Sequence, residues 1–255
     1  MNRHLFAPFL FGLFLFGCGG APSGVLPQPT SSPFDVVISG GTIVDGTGNA
    51  SFPADVGLRG DRVAAITPPG MLSEEPANRR VDATGLVVAP GFIDIQSHSR
   101  FNFLGNGDGR VVSKVTMGVT TEIMGESTTN GPASAAMLSA ADGAVGRSVF
   151  ETFGDWMGAM EAHGGSVNFG SFVGATTIRV LGMGEAMGKA GGPEVSAMQD
   201  AVRQSMEDGA FGIGSALIYP PGNFASTEEL IAINSAAAPY GGVYITHMRS
   251  EADNF

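Results

Sequence analysis

The sequence predicts an α/β protein in two parts: a small β-sandwich-like domain over residues 34–88, then a (β/α)8 TIM-like barrel over residues 89–255, truncated after about five strands. Three observations carry this expectation. Short strands separated by Gly-containing turns fill the first part. In the second part, strands alternate with stretches of helical apolar spacing. The first strand of that part runs into a cluster of polar, ligand-capable side chains, as at the working end of a barrel.

Of 255 residues, 43% are hydrophobic and 15% charged, and 39 are Gly. That composition excludes a disordered chain and suits tight strand-to-helix turns. The formal net charge is -11 and no run of Lys and Arg occurs. Nucleic acid is therefore excluded as a partner, because binding phosphates requires clustered cations.

Arg3 and His4 precede twelve mostly apolar residues, 5–16, and then Gly17-Cys18-Gly19-Gly20. Twelve residues cannot cross ~30 Å of hydrocarbon, which takes about 20 in a helix. Residues 1–18 therefore read as an export signal, and Leu15-Phe16-Gly17-Cys18 as a lipobox in which Phe16 replaces the usual small residue. Cys18 is the only Cys, so no intramolecular disulfide exists, and lipidation gives an unpaired exported Cys its reason. The expected location is the periplasmic side of a bacterial membrane, held there only by lipid. The rival is an ordinary signal peptide that happens to contain a Cys. Residues 19–33, with Pro27, Pro29 and Pro33 among Ser and Thr, lack apolar periodicity and read as a flexible tether.

In residues 34–88 the expected strands are 35–38, 42–44, 56–59, 62–66 and 86–88, with turns at Gly40-Gly41, Asp45-Gly46 and Gly60-Asp61. Strands so short and close belong to a small antiparallel sheet or sandwich.

The barrel opens with Ala89-Pro90-Gly91-Phe92-Ile93-Asp94-Ile95-Gln96-Ser97-His98. Phe92, Ile93 and Ile95 supply buried positions, and alternation places Asp94, Gln96 and His98 on one face. Val111, Val112 and Val115 mark a first helix, and residues 120–125 strand two. Phe150, Phe153, Trp156, Met157 and Met160 form one apolar helical face, which is core packing. Residues 168–173 are strand three. Val195, Met198, Val202 and Met206 mark a helix ending near Gly209, before strand four at 211–214. Ser226-Thr-Glu-Glu229 has capping-box spacing, and strand five is 243–246. A closed barrel takes about 250 residues, so the chain reads as a fragment.

Pro90-Gly91-Phe92-Ile93-Asp94-Ile95-Gln96-Ser97-His98 resembles the first strand of the amidohydrolase superfamily, Pro-Gly-Phe-Ile-Asp-x-His-x-His, with Gln96 in place of the first His. The 209–224 segment, which includes Leu217-Ile218-Tyr219-Pro220-Pro221-Gly222, and the segment Thr246-His247-Met248-Arg249-Ser250-Glu251 resemble the N-acyl-D-amino-acid deacylase family. The resemblance implies a metal-dependent hydrolase that cleaves the amide between an acyl group and a D-amino acid. Its partner would be a small N-acyl amino acid, and its cofactor a divalent metal, zinc.

The resemblance also implies the site residues. His98 and His247 are expected metal ligands. Glu126 stands where close relatives carry Cys, and its carboxylate is an accepted zinc donor; Gln96 offers only a weak, uncharged amide oxygen. Tyr219 is expected to line the substrate pocket and Arg249 to meet a carboxylate. Each has an ordinary rival: a structural His bonded to a carbonyl, a solvated Glu126, a packing Tyr219, or an Arg249 paired with Glu251. The family's general-base Asp and a further His fall on later strands, so no catalytic residue is expected within residues 1–255, and no activity from the chain as written. Competing functions are a non-catalytic amidohydrolase-fold binding lipoprotein, favoured by Gln96 and the missing Cys, and a cyclic-amide hydrolase.

Overall fold

The computed structural model describes residues 32–104, 107–142 and 148–252. The stretches read from sequence as signal, lipobox with Cys18 and nearly all of the tether lie outside the described residues. The chain divides into two compact units, Met1–Ala89 and Pro90–Phe255. No described helix is long and apolar enough to cross a membrane.

The first unit is one mixed sheet of β1 (Phe34–Ile43), β2 (Phe52–Arg59), β3 (Arg62–Thr67), β4 (Ala77–Asp82) and β5 (Val87–Val88), in the order β3-β2-β1-β4, with β5 also on β1. β1 pairs antiparallel with β2 but parallel with β4 and β5, which departs from the antiparallel sheet expected. The Gly40-Gly41 turn is corrected as well. Both glycines lie inside β1: the register to β2 shifts between Ile38 and Gly41, so Gly40 sits in a bulge with φ +74, a conformation open to Gly without penalty, while Gly41 pairs with Ala54. Two small apolar clusters hold the sheet: Phe34, Val37 and Leu72, and Ile43, Ala54 and Val56. The buried Asp55 accepts from the amides of Gly40 and Gly70 at 3.2 and 2.7 Å, which offsets the cost of burying a carboxylate.

The second unit runs β6 (Phe92–Asp94), α1 (Arg100–Phe103), α2 (Val112–Val115), β7 (Val119–Met124), α3 (Ala135–Ala141), α4 (Phe153–His163), β8 (Asn168–Ser171), β9 (Val173–Gly174), α5 (Ala175–Met183), α6 (Gly192–Glu207), β10 (Gly212–Ala216), α7 (Thr227–Ala237) and β11 (Val243–His247). All its strand pairs are parallel, in two runs, β6-β7-β8 and β9-β10-β11. The runs meet at Phe172, whose amide donates to Met124 O, while the amide of Phe211 donates to Ser171 O. Chain order is therefore also spatial order, with helices between the strands.

The core lies between strands and helices. Trp156, Phe153 and Met160 of α4, Ile178 of α5, Met198 and Val202 of α6 and Ile233 of α7 pack around Met124, Val173 and Ile213. The apolar stripe over residues 150–160 is thus core packing, although Phe150 precedes the helix. The Ser226–Glu229 spacing is half a capping box. Ser226 Oγ accepts from the Glu229 amide at 3.2 Å, but the Glu229 carboxylate is buried against Arg179 instead of returning to the cap. A reciprocal box closes α4, between Thr152 and Asp155.

Phe92, Ile93 and Ile95, expected to be buried, are each more than 60% exposed. Among the described residues β6 pairs along one edge only, so these side chains lack a second neighbouring strand.

Candidate functional site

The site is built at the carboxyl ends of adjacent parallel strands, where barrel-type sheets concentrate chemistry. β6 ends at Asp94, and the chain turns at once, with the Gln96 amide donating to Asp94 Oδ1 at 3.0 Å. Strict alternation therefore stops at Asp94, and the expected common face for Asp94, Gln96 and His98 does not form. Asp94 is bound by Lys114 of α2. Burial raises the Asp94 pKa, but the Lys114 and Gln96 hydrogen bonds and the charges of Lys114 and His98 outweigh it and leave the carboxyl below its ordinary value.

Gln96 and His98 meet elsewhere, on Glu126. Gln96 Nε2 donates to Glu126 Oε1 at 2.6 Å, and His98 Nε2 lies 2.9 Å from Glu126 Oε2. The Glu126 side chain is 6% exposed and that of His98 66%. Beside them, Ser99 Oγ donates to Glu122 Oε1 at 2.9 Å. Glu122 is wholly buried, and its Oε2 has no hydrogen-bond partner.

The backbone around Glu126 is sharply bent. Gly125 has φ +96 and Ser127 φ +65, so left-handed residues flank the carboxylate on both sides. A Cβ at Gly125 would sit 2.0 Å from Phe172 O, which leaves Gly as the residue that fits. Ser127 bears the cost of a left-handed backbone and is over-determined by its surroundings. Its amide donates to Gly214 O, its carbonyl accepts from Thr176, and its hydroxyl lies 2.9 Å from Thr176 Oγ1.

His247 is the last residue of β11 and half-buried. Its Nδ1 is 3.4 Å from Glu251 Oε1 but makes no hydrogen bond, and stands among the buried polar atoms without a partner. The Tyr219 ring lies 6.2 Å from the His247 ring. Arg249 donates to Asn223 O at 2.9 Å and to Ala225 O at 2.6 Å, so its guanidinium clamps the loop that follows Tyr219. Among the described residues, no three His, Cys, Asp or Glu side chains gather closely enough to form a metal-holding group.

Two participants escaped the sequence. Lys114 joins Asp94 and approaches Glu122 Oε1 at 3.9 Å, and a lone Lys in a short valine-rich helix gave no sign of this. Arg100 donates to Thr128 O at 3.0 Å and Thr128 Oγ1 at 2.7 Å, so it ties the end of β6 to the loop after β7. Its only signal was its place two residues beyond His98.

No protein-family model matches the chain. A D-aminoacylase from Alcaligenes xylosoxydans is 38% identical over 237 residues, 90% of this chain and 47% of that protein. A crystal structure of D-aminoacylase, described as defining a novel subset of amidohydrolases, superposes with a TM-score of 0.76 at 38% identity, covering 87% of this chain and 47% of that one. N-acyl-D-glutamate deacylase from Bordetella bronchiseptica, solved with zinc and a phosphonate that mimics the tetrahedral intermediate, gives a TM-score of 0.75 at 33% identity over 88% of this chain and 47% of its own. The chain spans about half the length of the curated relatives it matches.

Proposed function

Because this chain is a relative of the N-acyl-D-amino-acid deacylases of the amidohydrolase superfamily, we propose that it is part of a metal-dependent hydrolase that cleaves the amide between an acyl group and a D-amino acid. One observation of the fold carries the reading to a site: His98 and Glu126, from neighbouring parallel strands, are 2.9 Å apart at the strands' carboxyl ends. We further propose that β6 through β11 correspond to the first five strands of a (β/α)8 barrel, and that residues 34–88 are a separate small β-domain.

The donor chemistry fits a divalent cation, zinc by analogy with the deacylase complex. An imidazole and a carboxylate are already in contact, and a cation would satisfy the orphaned Nδ1 of His247. When bound, the metal polarises the scissile carbonyl and acidifies a water. His98 and Glu126, already in contact, would supply two donors, and His247, which is not gathered with them among the described residues, would have to approach them to be the third. Gln96 orients Glu126 through its amide N–H and leaves its amide oxygen as the weaker donor. Tyr219, beside His247, would flank the substrate. Export and lipidation at Cys18 belong to the same proposal and rest on the sequence alone.

One feature favours a second reading, a binding protein without metal: Glu126 is already satisfied by Gln96 and His98. A single assay separates the two. The protein that carries this chain together with the later strands is supplied with zinc and acyl release is followed from N-acetyl-D- and N-acetyl-L-amino acids; residues 1–255 alone are expected to be inactive under either reading. The hydrolase reading expects turnover of the D-series that chelation abolishes and His98→Ala cripples. Ligand binding without turnover in any metal would leave the binding protein.

A further inference from the structure

Glu122 is a buried titratable group with no part in the proposed chemistry. By alternation along β7 it shares a strand face with Met124, a residue of the apolar core, and it is 0% exposed. A carboxylate in such a place is costly unless its oxygens are bonded. Oε2 has no hydrogen-bond partner, and the cation nearby, Lys114, stops 3.9 Å from Oε1 and binds Asp94 instead. Ion pairing therefore does not account for the residue. Among the described residues its one side-chain hydrogen bond comes from Ser99 Oγ, at 2.9 Å.

That bond ends a short relay. Ser97 Oγ accepts from the Ser99 amide at 3.2 Å and donates to Ser99 Oγ at 3.1 Å, so the two hydroxyls donate in series toward the carboxylate. The Ser97 amide donates to Ile123 O at 2.9 Å, next to Glu122 in β7. Both residues that flank His98 are thus fastened to one strand. The His98 side chain itself is 66% exposed, so little packing fixes the ring, and its 2.9 Å contact with Glu126 depends on where the backbone of 97–99 is held.

We propose that Glu122 is a positioning residue for His98: through Ser99 and Ser97 it fixes the turn that presents the imidazole to Glu126. The use of that imidazole, to hold zinc, rests on the hydrolase reading; the positioning does not. The test takes the protein that carries this chain together with the later strands, labelled with carbon-13 at histidine, as wild type, Glu122→Met, Glu122→Gln, Ser99→Ala and the Glu122→Met, Ser99→Ala double variant. Ring order at His98, whose signal is assigned by its loss in His98→Ala, is read by relaxation without metal, and zinc affinity by competition with a chromophoric chelator. Glu122→Met and Ser99→Ala should each loosen the ring and weaken zinc about tenfold, the scale usual for a group behind a ligand. The double variant should be no worse than either single, because both cut one link. Glu122→Gln keeps an acceptor for Ser99 and should stay near wild type. Urea unfolding separates this from general damage, since Glu122→Met removes a costly buried charge and should be at least as stable as wild type while its ring loosens. If Glu122→Met does not fold, Ser99→Ala decides alone, as it cuts the same link.

Unchanged ring order in Ser99→Ala or in a folded Glu122→Met, additive losses in the double variant, or a ring as loose in Glu122→Gln as in Glu122→Met overturns the assignment. The two readings fail separately. A ring ordered through Glu122 in a protein that binds no zinc removes the hydrolase and keeps the positioning role. Zinc-dependent deacylation with ring order and affinity indifferent to Glu122 does the reverse.

Discussion

Arg179 of α5 and Glu229 of α7 form an ion pair whose side chains are 1% and 4% exposed, and the same guanidinium donates to the carbonyls of Ala186 and Gly188. One buried charge therefore ties two helices to the segment between α5 and α6. Removing one partner strands the other in a medium that cannot solvate it, so Arg179→Ala or Glu229→Ala should each cost about 3–5 kcal/mol. The double variant Arg179→Met with Glu229→Leu should recover most of that loss. Urea unfolding of the three proteins measures it, and additive losses in the double variant would show that the pair is not coupled.

Gly125→Ala tests the bend that presents Glu126. The substitution combines a left-handed backbone with a clash on Phe172 O, together roughly 2–5 kcal/mol. Relief requires moving either the loop after β7 or the strand at Phe172, so metal affinity should fall with stability. Unchanged stability would mean that the bend is not constrained.

Metal content separates the ligands by strength. Zinc retained after dialysis should drop most in His247→Ala, His98→Ala and Glu126→Ala, and least in Gln96→Ala, because an amide oxygen is the poorest donor of the four. Equal loss in His247→Ala and Gln96→Ala, or none in either, contradicts the proposed assignment.

Lipidation at Cys18 predicts that Cys18→Ser moves the protein from the membrane to the soluble fraction of the cell envelope. A variant that still fractionates with membranes and is processed at another residue rules the anchor out. A single acyl chain binds only marginally, so stable anchoring calls for more than one.

The parallel strands were legible because their apolar runs are bounded by Gly and polar residues; β7, β10 and β11 lie within a residue or two of expectation. Two elements were not. Ala77–Asp82 is a polar stretch that pairs through its backbone with the better strand β1, so β4 has no apolar pattern of its own. α5 begins directly after β9 with no turn residue, and its Thr176-Thr177-Ile178 start reads more like a strand. At the site, sequence singled out Gln96, His98 and Glu126, which the fold does bring into contact. It had no means of anticipating that Arg249 would be occupied by loop carbonyls, because that depends on where a distant turn comes to rest.

The transfer of β-pairing at Phe172 has a mechanical consequence. Residues 168–171 bond back to β7 and residues 173–174 bond forward to β10, so the two strand runs share a splice at Phe172, backed by the Phe211–Ser171 and Ser127–Gly214 backbone bonds. Neither run can peel away without breaking that joint. Amide hydrogens at Phe172, Ile213 and Gly214 should therefore exchange with solvent together and only through global opening, whereas those of β6 and β11, bonded on one edge, should exchange by local fraying.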